Sequence, residues 1–329
     1  MFKNPRIAVL LRTCLGIAAL ALALACTQAH AQAWPTRTIV FVVPYAVGGP
    51  ADALARMVAR KMSETTGQPV VVENKAGAGG TIGVAAAIKS APDGYTFALT
   101  GPGPLAGMPT LMKMPYTTAD YQHITLVARV PSVIVVNTDS GLNTLADLVA
   151  RAKAQPGALN YGSAGGGTTP HIAVELLKQE AAIHLTHVPY KGAAPAVTAL
   201  LGGEVQLAMV DLTPVLQHAN AGRLRILAVA GNERAPQQPR VPTTRELGLP
   251  GVTMDTNYGV IAPRGIPADI QKKAQDAFAA ALNSSELKEQ FLKQGAVAMS
   301  STPQEYASLM TSEYEKWQQV VARGKITLD

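Results

Sequence analysis

The residues best placed to do chemistry lie in two glycine-rich loops, each between a predicted strand and a predicted helix. The first loop runs from Tyr45 to Asp52 and the second from Gly162 to His171. The first turn of a helix leaves backbone N–H groups unpaired and carries the positive end of the helix dipole, so it favours an anion such as a carboxylate. Glycines let a ligand approach the backbone closely. If the two loops face each other across a cleft, they predict an anion site held largely by backbone groups.

Several side chains near these loops have a structural interpretation as well as a functional one. Asp52 either caps the first turn of its helix or contacts a ligand. His171 either orders its loop or donates to the edge of a ligand. Tyr190 and Lys191 either line the cleft or serve as core packing and solvated surface, respectively. Asp211, at the end of another predicted strand, either contacts the ligand or caps the helix that follows.

Catalytic signatures are incomplete. Ser163 and His171 share one loop, which leaves an exported serine hydrolase as an alternative function, although no acidic partner is visible. Tyr161 stands where a nucleophile elbow has its first glycine, and Ile82 stands where a dinucleotide-binding loop has its third. His171 and Glu175 are one helical turn apart, but no third ligand at a recognisable spacing accompanies them. We expect no catalytic residue, no metal and no cofactor.

The elements that must position these loops follow from the hydrophobic pattern. Short β-branched runs alternate with amphipathic segments, which is typical of a parallel sheet flanked by helices. Strands are predicted at residues 38–43, 70–72, 96–99, 124–128, 133–136, 159–161, 187–189, 205–209 and 224–229. One helix is predicted to begin at residue 51, and another, after the strand at 70–72, is predicted to end at residue 87. Further helices are predicted over residues 145–153, 172–178, 194–201, 268–282 and 303–321.

Two α/β halves of about 120 residues each fit the length of the chain. Candidate crossovers lie near residues 129–131 and 257–259. They place one domain at residues 32–131 plus 257–329 and the other at 132–256. Two lobes joined by two strands form a hinged cleft that can close around a ligand.

The first 31 residues have the zones of a secretory signal peptide. Basic residues come first, residues 14–24 are apolar, and Ala29-His30-Ala31 is a small-x-small cleavage signal. The apolar stretch is shorter than the roughly 20 residues that span a membrane. We expect export to the periplasm and removal of residues 1–31, with lipidation at Cys26 as an alternative processing route.

Removal of this leader would change the composition. It would take both cysteines, Cys14 and Cys26, and three of the 28 basic residues, while all 22 acidic residues remain. A chain without cysteine has no disulfide, no thiolate metal site and no cysteine nucleophile. The small basic excess forms no run, so we expect no binding of nucleic acid.

The order and spacing of several short segments carry a family resemblance. They are Trp34-Pro35, residues 43–52, residues 72–80, residues 162–171, Val188-Pro189-Tyr190-Lys191-Gly192, Leu200-Leu201-Gly202-Gly203, Val241-Pro242-Thr243-Thr244 and residues 262–267. Together they resemble the tripartite tricarboxylate transporter solute receptors, the Bug or TctC-like family of periplasmic binding proteins, over essentially the whole chain after the leader.

The resemblance implies a two-domain α/β fold of the periplasmic-binding-protein, or Venus flytrap, type, with a sheet flanked by helices in each domain and two crossover strands. It also implies that the two loops hold a ligand carboxylate, largely through backbone groups and bridging waters. The ligand-binding residues it implies are Tyr45, Val47, Gly49, Asp52, Gly101, Pro102, Ser163, Gly167, Thr168 and His171, and Tyr190 and Asp211 complete the set.

The chain departs from the family pattern at two places. Ala46-Val47 replaces the proline-rich form common in the first loop, and Tyr258 stands where a tryptophan is usual. The expected function is a non-catalytic, monomeric periplasmic receptor for a small organic anion, a mono- or dicarboxylate, which it delivers to a membrane permease. A ligand sensor for a signalling partner is the other non-enzymatic alternative.

Overall fold

The computed structural model describes residues 34–327. The predicted signal peptide, its cleavage site and Cys26 therefore lie outside the described residues. Within 34–327, no helix is long and apolar enough to cross a membrane. The chain divides into an N-terminal unit that ends at Thr36 and a second unit that begins at Arg37, and every element below belongs to the second unit.

The strands form two sheets that share one long strand, β4 (Tyr121–Asn137). In the first sheet, β1 pairs in parallel with β2 and β3, β3 pairs antiparallel with β9, and both β9 and β10 pair antiparallel with β4. The strands are β1 (Ile39–Val43), β2 (Val70–Asn74), β3 (Thr96–Thr100), β9 (Asp255–Pro263) and β10 (Val297–Ala298).

In the second sheet, β5 pairs in parallel with β6 and β7, while β7 and β8 both pair antiparallel with the second part of β4. These strands are β5 (Asn160–Ser163), β6 (Thr186–Pro189), β7 (Leu207–Asp211) and β8 (Leu224–Val229). The predicted parallel sheet is therefore a mixed one, because β4 and β9 run against their neighbours. We call the first sheet with its helices lobe 1 and the second sheet with its helices lobe 2.

The two strands predicted on either side of Pro131 are one continuous strand of 17 residues. Within it, Pro131 lies opposite Asp255 of β9, and Ser132 lies opposite Asp211 of β7. A proline cannot donate to a strand ladder and is normally excluded from a central strand. It is tolerated here because the ladder passes from the first sheet to the second at this residue.

Helices flank both sheets. In lobe 1 they are α1 (Pro50–Thr66), α2 (Thr81–Ile88), α3 (Met108–Leu111), α8 (Ala268–Asn283) and α9 (Ser285–Lys293), with a 3-10 turn at Ala78–Gly80 and a π-helix at Gly103–Gly107. In lobe 2 they are α4 (Leu145–Ala154), α5 (Thr169–Ala181), α6 (Ala193–Leu201) and α7 (Leu216–Asn220), with a 3-10 turn at Thr138–Ser140. The last helix is α10 (Pro303–Gly324).

Helix α10 contacts the cores of both lobes. Its first half contributes Tyr306 and Met310 to the buried cluster on the first sheet. Its second half contributes Trp317 and Val320 to the buried cluster on the second sheet. A capping box formed by Thr302 and Glu305 starts the helix. The helix is therefore a third link between the lobes, in addition to β4 and the chain that leads into β9.

Candidate functional site

Three helix N-termini meet at one buried cavity. Helix α1 starts after Gly49, α5 after Thr168 and α6 after Gly192, and in none of them does the N-cap side chain accept a bond from the first turn. Prolines occupy the first turn of α1 and α5, where a missing N–H costs nothing. The remaining free N–H groups and the positive ends of three helix dipoles make this place attractive to an anion.

The cavity wall is rich in hydroxyls and glycines. It has a volume of about 20 Å³, which is room for about one water molecule. Its lining contains one acidic residue, Asp211, and no Lys, Arg or His. The lining residues are Tyr45, Gly49, Pro50, Ala51, Gly101, Gly103, Ala164, Thr168, Thr169, Pro170, Ala193, Asp211, Thr256 and Tyr258.

Tyr45 separates this inner cavity from a second, outer pocket. Burial raises the pKa of the Tyr45 hydroxyl to about 12, against the effect of hydrogen bonds with Thr100 and Gly101, so the group keeps its proton. The outer pocket has a volume of about 190 Å³ and shares Tyr45 and Ala164 with the inner one. Its other lining residues are Gly77, Ala78, Gly79, Gly80, Gly165, Gly166, Pro189, Tyr190 and Lys191.

Asp211 forms the inner wall of the cavity at the end of β7 and is 2% exposed. It accepts hydrogen bonds from Thr256 (2.6 Å) and Tyr258 (2.5 Å) of β9, and the Ser132 hydroxyl lies 3.5 Å away. Burial raises the pKa of Asp211 to about 6, although these hydrogen bonds act in the opposite direction. Helix α7 begins only at Leu216, so the alternative role of Asp211 as a helix cap is wrong.

Asp52 lies behind the first loop rather than in the cavity wall. Its Oδ2 accepts a hydrogen bond from the Gly48 amide (3.0 Å), and its Oδ1 lies 2.9 Å from the Arg56 guanidinium. Burial opposes ionisation of this carboxyl, but hydrogen bonds from Arg56, Gly48 and Asn74 outweigh it and lower the pKa. In this geometry Asp52 fixes the shape of the loop that carries Gly49.

Ser163 and His171 order the second loop from behind, and neither lines the cavity. The Ser163 hydroxyl is fully buried, bonds His187 Nε2 (2.7 Å) and accepts from the Gly165 amide (3.1 Å). His171 Nδ1 accepts from the Gly167 amide (3.1 Å). Ser163 therefore bonds His187 and not His171, the partner that the hydrolase alternative requires. The Nδ1 atom of His171 instead accepts from the Gly167 amide of its own loop.

Burial shapes the chemistry of the histidines behind this loop. Desolvation lowers the pKa of His171 to about 4, and the charge of Lys178 adds to the effect. The His171 ring stacks on His187 at 4.2 Å between centroids. Glu175 accepts from Tyr161 and Lys178 and lies 4.0 Å from His171. Over the part of the chain that the structure describes, no three His, Cys, Asp or Glu side chains are grouped to hold a metal ion.

The predicted site residues fall into three groups. Tyr45, Gly49, Gly101, Thr168 and Asp211 line the inner cavity, and Tyr190 lines the outer pocket. Asp52, Pro102, Ser163, Gly167 and His171 are buried next to the two pockets without lining them, and Val47 is 63% exposed.

Sequence reasoning missed part of the wall. Thr169 and Gly103 lie beside predicted residues, whereas Thr256 and Tyr258 belong to β9, of which the sequence indicated only the crossover near residues 257–259. The predicted crossover and the tyrosine at 258, in place of the family's tryptophan, were the signals that pointed to this strand.

Residues 54–326 match the family model described as "Tripartite tricarboxylate transporter family receptor". The chain belongs to this family. The predicted family and the two-domain α/β fold of periplasmic binding proteins are thereby confirmed, and the protein is a solute-binding receptor of the tripartite tricarboxylate transporter family.

Three solved structures show how far this receptor resembles its relatives. The periplasmic binding protein BugD is 32% identical with a TM-score of 0.86, over 89% of this chain and 99% of BugD. An R. palustris protein solved with adipate is 34% identical with a TM-score of 0.86, over 89% and 99%. MatC from Rhodopseudomonas palustris, with bound malate, is 31% identical with a TM-score of 0.83, over 88% and 100%.

Proposed function

We propose that this receptor holds a small carboxylate-bearing anion in the inner cavity between its lobes and delivers it to the permease of a tripartite transporter. The observation that carries the proposal is the meeting of three helix N-termini at a cavity lined by hydroxyls and by no basic side chain. Adipate and malate in two related structures are both dicarboxylates, which agrees with this chemistry.

Backbone groups suit a carboxylate in this setting. Each helix end contributes roughly half a positive charge and about 0.3–1 kcal/mol or more where it is shielded from water. The hydroxyls of Thr169 and Tyr45 in the wall can donate to the carboxylate oxygens. The outer pocket, which adjoins the cavity through Tyr45 and Ala164, takes the remainder of the ligand and limits its length.

Binding needs the lobes to separate and close. A cavity of about 20 Å³ is far smaller than a dicarboxylate, so the ligand enters only when lobe 1 and lobe 2 move apart. We infer that the lobes comprise residues 32–131 plus 257–329 and residues 132–256, with hinges near residues 129–131 and 257–259. The change of partner in β4 between Pro131 and Ser132 supports the first of these boundaries.

The protein's location and partners follow from the same proposal. We infer that residues 1–31 are removed on export, that the mature receptor works as a monomer in the periplasm, and that it catalyses no reaction. The Ser163–His187 contact does not alter this inference, because Ser163 is fully buried and does not line either pocket. Mass spectrometry of the periplasmic fraction, which should begin at Gln32, tests the processing step.

Calorimetry with matched ligands tests the carboxylate assignment. Adipate and malate are compared with their diamides, which keep the shape and one carbonyl acceptor per group but lose the charge and replace the second acceptor oxygen with a donor NH2. We expect a carboxylate to bind and to raise the melting temperature through linkage, and the diamides to do neither. Failure of every carboxylate, with binding of a neutral sugar or a cation instead, would overturn the proposal.

Two isosteric variants test whether the ligand binds in the inner cavity. Thr169→Val removes a hydroxyl from the cavity wall, and we expect a loss in affinity of about tenfold, the worth of one hydrogen bond. Thr213→Val is the matched control, because the Thr213 hydroxyl is buried, has no hydrogen-bond partner among residues 34–327, and lies outside both pockets. Equal affinities of the two variants would show that the ligand binds elsewhere.

A further inference from the structure

The wall of the proposed anion site includes an acidic side chain, Asp211. Asp211 is 2% exposed and forms part of the same wall as the three helix starts. When the lobes close on a ligand, its carboxylate and an ionised Asp211 would face the same cavity, with little water between them to screen the two charges. Two carboxylates in one site cannot both stay ionised at little cost, and the usual result is that one of them keeps a proton.

The partners that the fold gives Asp211 are hydroxyls, which carry no charge to balance its own. Within residues 34–327, Asp211 takes part in no ion pair, and its hydrogen-bond partners are the hydroxyls of Ser132, Thr256 and Tyr258. Tyr258 and Asp255 of β9 and Tyr45 of the first loop are the titratable groups that act on it or are acted on by it. The cations Arg129 and Lys316 act on Asp255.

Two histidines lie on the other side of the second loop. His171 of α5 and His187 of β6 stack on each other, bonded to Gly167 and to Ser163 respectively. Neither lines the cavity.

We propose that this receptor binds its carboxylate ligand together with one proton, and that Asp211 is the group that takes the proton up. The inference rests on the proposed function, since it concerns the same cavity. The proton comes from solvent and bonds to a carboxyl oxygen of Asp211. The neutral carboxyl then has an O–H that can donate to the ligand carboxylate, so that a repulsion becomes a hydrogen bond.

A minority of the ligand-free molecules already carry this proton at neutral pH. Burial raises the pKa of Asp211 to about 6, so roughly one molecule in ten carries the proton at pH 7. A bound anion raises that pKa further. The three hydroxyl partners suit either state, because a hydroxyl both donates and accepts.

The consequence is an affinity that depends on pH. Between the pKa of Asp211 in the free protein and its pKa in the complex, each unit of rising pH weakens binding by up to about tenfold. A simple carboxylic acid has a pKa of about 4, and the second carboxyl of a dicarboxylic acid ionises at a somewhat higher pH because the first is already charged. Both carboxyls are ionised at pH 7 to 8, so the slope over that unit belongs to the protein.

Calorimetry on the mature chain tests the inference, with adipate as the probe, or malate if adipate does not bind. Titrations at pH 6, 7 and 8 are repeated in buffers of different ionisation enthalpy, which gives the number of protons taken up. We expect about one proton per ligand at pH 7 to 8 and an affinity that falls about tenfold over that unit. Asp211→Asn should take up none and lose the slope.

Asp255→Asn is the matched control. It removes a neighbouring carboxyl whose pKa is also raised by burial but which does not line the cavity, and it should keep both the slope and the proton. If Asp211→Asn fails to fold, difference infrared spectra of the wild type at pH 7 serve instead, and ligand should produce the band of a protonated carboxyl.

The outcomes separate this inference from the proposed function. Binding of a carboxylate with the same affinity at pH 6 and pH 8 and no proton uptake overturns the inference and leaves the proposed function intact. A slope that survives in Asp211→Asn assigns the proton to another group and also overturns it. If no carboxylate binds at any pH, both fail.

Discussion

The backbone amide of Ala46 donates a hydrogen bond of 3.2 Å to the carbonyl of Lys191 and so ties the first loop of lobe 1 to the start of α6 in lobe 2. Next to this bond, a Cβ on Gly192 would lie 3.2 Å from the Ala46 nitrogen. A Cβ on Gly79 would lie 2.4 Å from the Gly166 carbonyl oxygen. The lobes thus meet backbone to backbone, and Gly79, Gly166 and Gly192 at these contacts have no side chain to hold them apart.

Gly79→Ala should therefore weaken ligand binding. Gly79 has a positive φ of 60°, and Gly67, the matched control, has a φ of 70° with nothing near its Cβ position. Both alanine variants should lose about 1 kcal/mol of stability from the left-handed backbone. Only Gly79→Ala prevents full closure, and we expect its affinity for adipate to fall by about tenfold or more. Calorimetric affinities that match in the two variants would contradict this account of closure.

The lobes should also move relative to each other when ligand binds. Both cysteines lie in the predicted leader, so a mature chain can carry two introduced cysteines without interference. Val71 of lobe 1 and Thr186 of lobe 2 are exposed, and spin labels there report the distance between lobes. We expect a broad, longer distance without ligand and a shorter, narrower one with adipate. Identical distributions, or superimposable scattering profiles, would rule out hinged closure.

The packing of Trp317 on Gly107 should be critical for stability. Trp317 is fully buried in α10, and a Cβ on Gly107 would lie 1.8 Å from its ring. Gly107→Ala should cost about 1–3 kcal/mol by overpacking, and Trp317→Ala about 3–5 kcal/mol. Gly202→Ala is the matched control, since its φ of −77° resembles the −76° of Gly107 and its Cβ position is open to 3.5 Å. Urea unfolding measures all three, and a stable Gly107→Ala would show that the ring can move away.

Acid should destabilise the protein through His171. Burial lowers the pKa of His171 to about 4, from 6.5 in the unfolded chain. Between these values the unfolded chain binds more protons, so stability is full above pH 6.5 and declines as the pH falls towards 4. The loss reaches about 3 kcal/mol. The measurement is the free energy of unfolding at pH 7, 6, 5 and 4.

His171→Asn isolates this contribution. Its side-chain oxygen can still accept from the Gly167 amide, as His171 Nδ1 does, but it does not titrate. We expect a shallower decline of stability below pH 6.5 than in the wild type. Parallel curves for the two proteins would place the acid sensitivity in other groups, such as His123, whose pKa burial also lowers to about 4.

Local sequence signals predicted much of the scaffold. Residues 224–229 form β8 over the predicted range, and residues 194–201 form all but the first residue of α6. The glycine-rich loops come directly before helices, with prolines in the first turns of α1 and α5. These features are readable because strand alternation, helix periodicity and helix starts depend on neighbours within a few residues.

The sequence alone also determined the chemistry offered by the backbone, which is unpaired helix N-termini beside glycines that favour an anion. Only the tertiary structure decided which side chains share that place. Asp211 meets Tyr258 across 47 positions of sequence, and Ser163 meets His187 rather than the nearer His171. Strand β4 runs through Pro131 because two sheets share it. Such contacts depend on the register of strands distant in sequence, and a local pattern does not contain that register.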